Sequence, residues 1–179
     1  VTEIRKNSEL PVILMTSFNP IFVYGQKDFV ADSIKAGVDG LIIPDLPPEE
    51  AESFLEITED LDMIFLLAPT STADRIQHIG KLSRGFIYYI SLTGTTGTKE
   101  SLSVGLNDKV CEIKKCVSLP VFIGFGISGP EQAKQAAQAG DGVILGSAIV
   151  KIIEKNHDPI ERDRKLGAFI SSIQKAINP

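Results

Sequence analysis

Tryptophan is absent from this sequence, and histidine, cysteine and methionine occur far less often than the aliphatic residues: two histidines, two cysteines and two methionines in 179 residues. The cysteines, Cys111 and Cys116, stand on one expected helix and point to different faces. A disulfide between them is not expected, and a reducing compartment, the cytoplasm, is the default. His78 and His157 fall on expected helix or loop, away from strand ends. They read as surface residues, and no metal site is expected. No apolar run approaches the ~20 residues of a membrane span, and no signal-peptide pattern opens the chain. Long basic stretches are missing too. Eighteen Lys and Arg against 23 Asp and Glu leave a net charge of −5, so neither nucleic acid nor a membrane is expected as a partner.

What remains is an ordinary apolar fraction, 43%, in a chain long enough for one sizeable core. Six short β-rich apolar segments recur, at residues 11–15, 40–45, 63–68, 86–90, 120–125 and 142–145. Between them lie weak to clear helical stripes: Phe29, Val30 and Ile34; Ala51, Phe54 and Leu55; Ile76, Ile79 and Leu82; Val110, Ile113 and Val117. The cleanest is Leu166, Phe169, Ile170, Ile173 and Ile177, near the end of the chain. Thr16–Pro20 reads as a turn. Strand–helix alternation with short polar connections predicts a parallel sheet with right-handed crossovers. A closed (β/α)8 barrel needs eight units and about 250 residues. The expectation is therefore an α/β fold: a TIM barrel lacking its first two βα units, six parallel strands with helices, forming one partial domain over residues 1–179.

The stretch PVFIGFGISGPEQAKQAAQAGDGVILGS organises the chain. A strand ends in Gly124-Phe125-Gly126, and Ser128, Pro130 and Glu131 carry helix-start chemistry. A second short strand then ends in Gly146-Ser147 at the next helix. Two neighbouring strands ending in glycine turns, with free N–H groups at a helix start, suit an anion; the alternative is tight turns with no ligand. Phosphate sites of parallel barrels often occupy the loops after the last two strands. Asp45 is either a general base or a turn former ahead of Leu46-Pro47-Pro48. Tyr88 faces either the core or a ligand. The Gly/Thr-rich loop at 92–104 is either slack or a closing lid. Beyond Asp45, proton carriers at strand ends are scarce.

Six pieces of the chain jointly carry a family resemblance: LMTSFNPIFVYG, AGVDGLIIPDLPPEE, FLLAPTSTADRI, GFIYYISLTGTTGT, PVFIGFGIS and DGVILGSAIV. In this order, from Pro11 to Lys151, they resemble the α subunit of tryptophan synthase. That resemblance implies a TIM barrel cleaving indole-3-glycerol phosphate to indole and glyceraldehyde 3-phosphate in tryptophan biosynthesis. It implies backbone contacts to the substrate phosphate at Gly97, Phe125, Gly126, Gly146 and Ser147. Tyr88 lies beside the indole, and Phe125 and Leu66 line the same pocket. Thr93, Gly94 and Thr96 belong to the lid. The segment around Phe18-Asn19-Pro20 meets a β subunit, which carries pyridoxal phosphate, in an α2β2 assembly; this subunit itself needs no cofactor.

The family's catalytic Glu and Asp match no residue here; by the resemblance they precede Val1. The chain is thus expected to be inactive alone. Two other readings stay open: a non-catalytic phosphate-binding remnant that regulates a β subunit, and another phosphate-binding barrel enzyme.

Overall fold

The computed structural model describes residues 1–91, 105–124 and 126–178. A short helix α1 (Thr2–Arg5) leads into β1 (Ile13–Met15), followed by α2 (Phe18–Tyr24), α3 (Gln26–Ala36) and β2 (Gly40–Ile42). A 3-10 turn (Pro48–Glu50) opens α4 (Glu52–Leu55), and β3 (Asp62–Ile64) and β4 (Leu66–Leu67) come next. Then α5 (Ala73–Leu82), β5 (Ile87–Ile90), α6 (Leu106–Cys116), β6 (Val121–Gly124) and α7 (Pro130–Ala139) alternate. The chain continues through β7 (Gly142–Ile144), α8 (Ser147–Lys155) and α9 (Pro159–Ile177).

All pairings are parallel, in the order β1-β2-β3 and β4-β5-β6-β7. The strand expected at 63–68 is therefore two segments with a break at Phe65. The break is where one strand line changes neighbours: Met63 and Ile64 pair with β2, whereas Leu66 and Leu67 pair with β5. Side-chain alternation continues through it, so six strand lines share two common faces. The fold is the parallel α/β arrangement of a TIM barrel.

One face packs under the helices. Leu41, Met63, Phe65, Leu67, Ile87, Tyr89, Val121 and Ile123 from the strands meet Ile76, Ile79, Val110, Ile113, Ala133 and Ala136 from α5, α6 and α7. Each fully buried Ile or Leu contributes about 1.5–3 kcal/mol. The opposite face carries Ile42, Ile64, Leu66, Phe86, Tyr88, Phe122 and Ile144. Glycines make room for rings there. A Cβ on Gly124 would lie 2.4 Å from the Tyr88 ring, and one on Gly142 would lie 2.9 Å from Phe122. Phe122 in turn stacks on Phe86 at 4.5 Å.

Two sequence expectations change. Thr16–Pro20 is not a plain turn, because Phe18 starts a helix in which Pro20 sits early enough to need no N–H partner. The terminal stripe on α9 is only partly covered: Ile173 is buried, but Ile170 is exposed. Among the described residues no helix is long and apolar enough to cross a membrane.

Candidate functional site

The register of β6 against β7 aligns Gly124 with Ile144. Both strands end there, so the turns holding Gly126 and Gly146 leave the same edge of the sheet side by side. Gly126 has φ +78°, a conformation that favours glycine. A Cβ on Gly146 would touch nothing within 4 Å, so this backbone lies open. Gly146 caps α8, with no side chain satisfying the helix start. Ser147 is its exposed first residue. The first N–H groups of a helix have no acceptor one turn back. Those of Ser147 and Ala148 therefore face the mouth as donors, reinforced by the positive end of the helix dipole.

The second helix start is built differently from the expected pattern. Gly129, not Ser128, is the cap of α7. The residue reaching back is Gln132 rather than Glu131, because Gln132 is the one placed at the third helical position. Its Oε1 accepts from the Ser128 N–H at 2.7 Å and from the Ser128 hydroxyl at 2.7 Å. Gly124 also has a different role. It is the last strand residue, and the space its missing Cβ leaves is filled by the Tyr88 ring, not by open mouth.

Tyr88 and Leu66 are register partners on adjacent strands and lie on the face opposite the helices. Tyr88 is half-buried, and burial raises its phenol above the ordinary value. It stays protonated and can donate a hydrogen bond. Leaning over Gly124, its ring points toward the strand ends where Gly126 and Gly146 turn. An apolar floor thus adjoins a row of N–H donors. That combination fits a ligand with a flat apolar part and an anionic end. Phe125, Thr93, Gly94, Thr96 and Gly97 lie outside the described residues.

Two residues hold the mouth in shape, and reasoning from the sequence did not single out either for that role. Ser91, buried just after β5, donates to the Gly124 carbonyl through both its N–H (3.0 Å) and its hydroxyl (3.1 Å). This fastens β5 to β6 at the mouth. Asp45 follows β2 in a turn closed by Leu46 N–H to Ile43 carbonyl, 3.2 Å. Its carboxylate accepts from the Phe18 N–H at 2.8 Å. Asp45 is a turn residue that caps α2 across the mouth. A serine just past a strand and an Asp-Leu-Pro-Pro run were the available signals, but neither reveals a partner some 30 residues away.

His78 and His157 are exposed and both cysteines are free. No cluster of three or more His, Cys, Asp or Glu able to hold a metal occurs among the described residues.

Comparison with known proteins agrees throughout the chain. The sequence profile of the family described as "Tryptophan synthase alpha chain" matches residues 1–178. A tryptophan synthase alpha chain from Geobacter sp. (strain M21) is 44% identical over 179 residues, 99% of this chain and 67% of its own. One from Geotalea uraniireducens (strain Rf4) is 46% identical with the same coverage. Among solved structures, tryptophan synthase subunit alpha from Legionella pneumophila superposes with a TM-score of 0.85 at 36% identity, covering 99% of this chain and 66% of that one. A chain of the tryptophan synthase a2b2 complex from Pyrococcus furiosus gives 0.86 at 34% identity, covering 97% and 71%. The chain thus spans about two thirds of the length of these relatives. Matched along nearly its entire length in sequence and in fold, it belongs to the tryptophan synthase alpha chain family.

Proposed function

We propose that this chain supplies the phosphate grip and indole floor of a site for the alpha-type reaction, the cleavage of indole-3-glycerol phosphate to indole and glyceraldehyde 3-phosphate. The supporting observation is the Gly124–Ile144 register, which sets the Gly126 and Gly146 turns beside each other and next to Tyr88 and Leu66. The N–H groups at Gly126, Gly146 and Ser147 would hold the phosphoryl oxygens, joined by Gly97 and Phe125. Tyr88, Leu66 and Phe125 would hold the indole ring. The segment 93–97 would close over both.

Cleavage needs a proton delivered to indole C3, loss of the proton from the neighbouring glycerol hydroxyl, and breakage of the C–C bond between them. Its electrons return to the indole ring as the hydroxyl carbon becomes the aldehyde. By the family resemblance a Glu and an Asp carry these protons, and neither matches a residue of this sequence. Positioned proton transfer is typically worth 10²–10⁴-fold. The reading therefore comprises a single partial-barrel unit over residues 1–179, in the cytoplasm. It binds without a cofactor of its own, beside a β partner that carries pyridoxal phosphate.

Isothermal titration of the 179-residue polypeptide with indole-3-glycerol phosphate tests the site. Saturable binding that glycerol 3-phosphate competes away is expected, with no measurable release of indole. Absence of binding, or binding indifferent to glycerol 3-phosphate, would overturn it. Robust turnover by this polypeptide alone would overturn the assignment of proton transfer to groups it does not contain.

A further inference from the structure

Two strand ends of this sheet repeat one backbone hydrogen bond and differ in what a side chain does beside it. Just past β1, the Thr16 N–H donates to the carbonyl of Ile42, the last residue of β2, at 3.1 Å. Just past β5, the Ser91 N–H donates to the carbonyl of Gly124, the last residue of β6, at 3.0 Å. These are equivalent bonds of a parallel ladder. Each donor residue also carries a hydroxyl. That of Thr16 stays on its own chain and donates to the Ser17 carbonyl at 3.3 Å. That of Ser91 crosses to β6 and donates to Gly124 a second time, at 3.1 Å. Strand pairing alone therefore does not demand the second bond. A carbonyl oxygen has two acceptor sites, and one buried serine supplies a donor to each.

Gly124 is a residue that needs such a hold. It has no side chain to restrict its backbone, and the chain turns two residues later at Gly126, φ +78°. The Tyr88 ring fills the space above it: a Cβ would lie 2.4 Å from a ring carbon and 2.7 Å from the phenol oxygen. Gly124 is thus held from two directions, by Tyr88 over its face and by Ser91 within the sheet. Because a peptide unit is planar, fixing the Gly124 carbonyl fixes the plane in which the chain leaves β6. We propose that Ser91 is a positioning residue, whose hydroxyl sets the Gly126 turn against the Tyr88 ring and so sets the spacing between the anionic and aromatic ends of a bound ligand. This deepens the phosphate-and-indole reading of the site and rests on it. Ser91 acts through Gly124 and not on the ligand itself. A ligand that joins an aromatic ring to a phosphate gains from the join only when both ends engage at once. A phosphate ester without the ring follows the turn wherever it sits. The hydroxyl therefore governs discrimination between the two.

The test is Ser91→Ala in the 179-residue chain, which removes the hydroxyl, keeps the ladder N–H and leaves the Gly124 carbonyl with a partner. By isothermal titration, affinity for indole-3-glycerol phosphate should fall by roughly tenfold or more, while affinity for glycerol 3-phosphate stays within about threefold. Ser91→Thr, which restores the hydroxyl, should recover most of the loss. A second readout needs no ligand. The Gly124 α-protons lie under the Tyr88 ring, and those of Gly142 lie against Phe122, so both glycines carry ring-current shifts in the proton NMR spectrum. In Ser91→Ala the Gly124 shift should shrink and the Gly142 shift should stay. Equal loss of affinity for both ligands, a Ser91→Thr chain that binds like Ser91→Ala, or an unchanged Gly124 shift would each overturn the proposal. A parent chain that binds neither ligand would count against the proposed function, and the Gly124 shift would then decide the role of Ser91 by itself.

Discussion

At the N-terminal ends of the strands, Asp39 and Asp141 each stand just before a glycine that opens a strand, and each makes the same pair of contacts. The Asp39 N–H donates to the Val12 carbonyl at 2.9 Å, and its carboxylate accepts the Val12 N–H at 2.6 Å. Asp141 does the same with Val121, at 2.8 and 2.9 Å. A cation completes each clamp, Arg5 on Asp39 and Lys114 on Asp141. At the C-terminal ends, Gly146 opens α8 with no side-chain cap on the first N–H groups, and Gly126 turns beside it at φ +78°. One end closes its polar groups on itself; the other offers them. In parallel barrels the first arrangement serves stability and the second serves ligands. The contrast shows that a glycine beside a strand has no fixed meaning. A Cβ on Gly40 would meet the Asp62 carbonyl at 2.5 Å, whereas one on Gly146 would meet nothing.

The largest expected effect breaks the closed end. Gly40→Ala forces its methyl against β3 backbone that cannot move without losing the β2–β3 pairing, a cost of about 3 kcal/mol in line with overpacked cores. Denaturant unfolding would measure it, and a loss under ~0.5 kcal/mol would contradict the closed end as drawn. At the boundary between the two ends, Gly124→Ala displaces the Tyr88 ring and costs about 1–3 kcal/mol. The Tyr88 contribution to the near-ultraviolet circular dichroism should change, with Tyr24 and Tyr89 retaining theirs, and indole-3-glycerol phosphate affinity should drop more than glycerol 3-phosphate affinity.

At the open end, stability and binding should move in opposite directions. Ser147→Glu places a negative charge at the start of α8, where it stabilises the helix by about 0.3–1 kcal/mol, yet it should lower phosphate-ester affinity tenfold or more by repulsion. A variant that loses both stability and binding would mean that Ser147 is structural.

Smaller effects concern acid. The Val12 N–H, and then Arg5, hold the Asp39 carboxyl below its usual range. Partial desolvation opposes the same lowering at Asp141, but Lys114 and the Val121 N–H outweigh it. A carboxylate with a depressed folded-state pKa binds fewer protons than in the unfolded chain. Its stabilisation is complete above the unfolded value and disappears as pH falls through the folded one. Asp39→Asn combined with Asp141→Asn should lower the melting temperature at neutral pH and flatten its fall below about pH 4. The smallest change is expected from Glu161→Gln. Arg164 first, with Lys165, brings Glu161 down to about 2, so the substitution should flatten the melting curve only between about pH 4.5 and 2.

Much of the fold was legible because it is periodic. Apolar runs at a strand period alternate with helical stripes, and Gly37, at φ +86°, ends α3 where the stripe stops. Local capping was legible as a pattern but not in its details. Ser128 signalled a helix start, yet Gly129 caps it and Gln132 reaches back. The split of residues 63–68 into β3 and β4 could not be read locally, since it depends on which neighbour each half pairs with.

By itself the sequence determined the parallel α/β class, the family, and the two glycine turns at residues 126 and 146, because these depend on local backbone preference and on residue order. Tertiary structure alone decided that Tyr88 occupies the space above Gly124 and that Ser91 and Asp45 brace the mouth. Those are contacts between residues tens of positions apart, and only the register of paired strands brings such residues together.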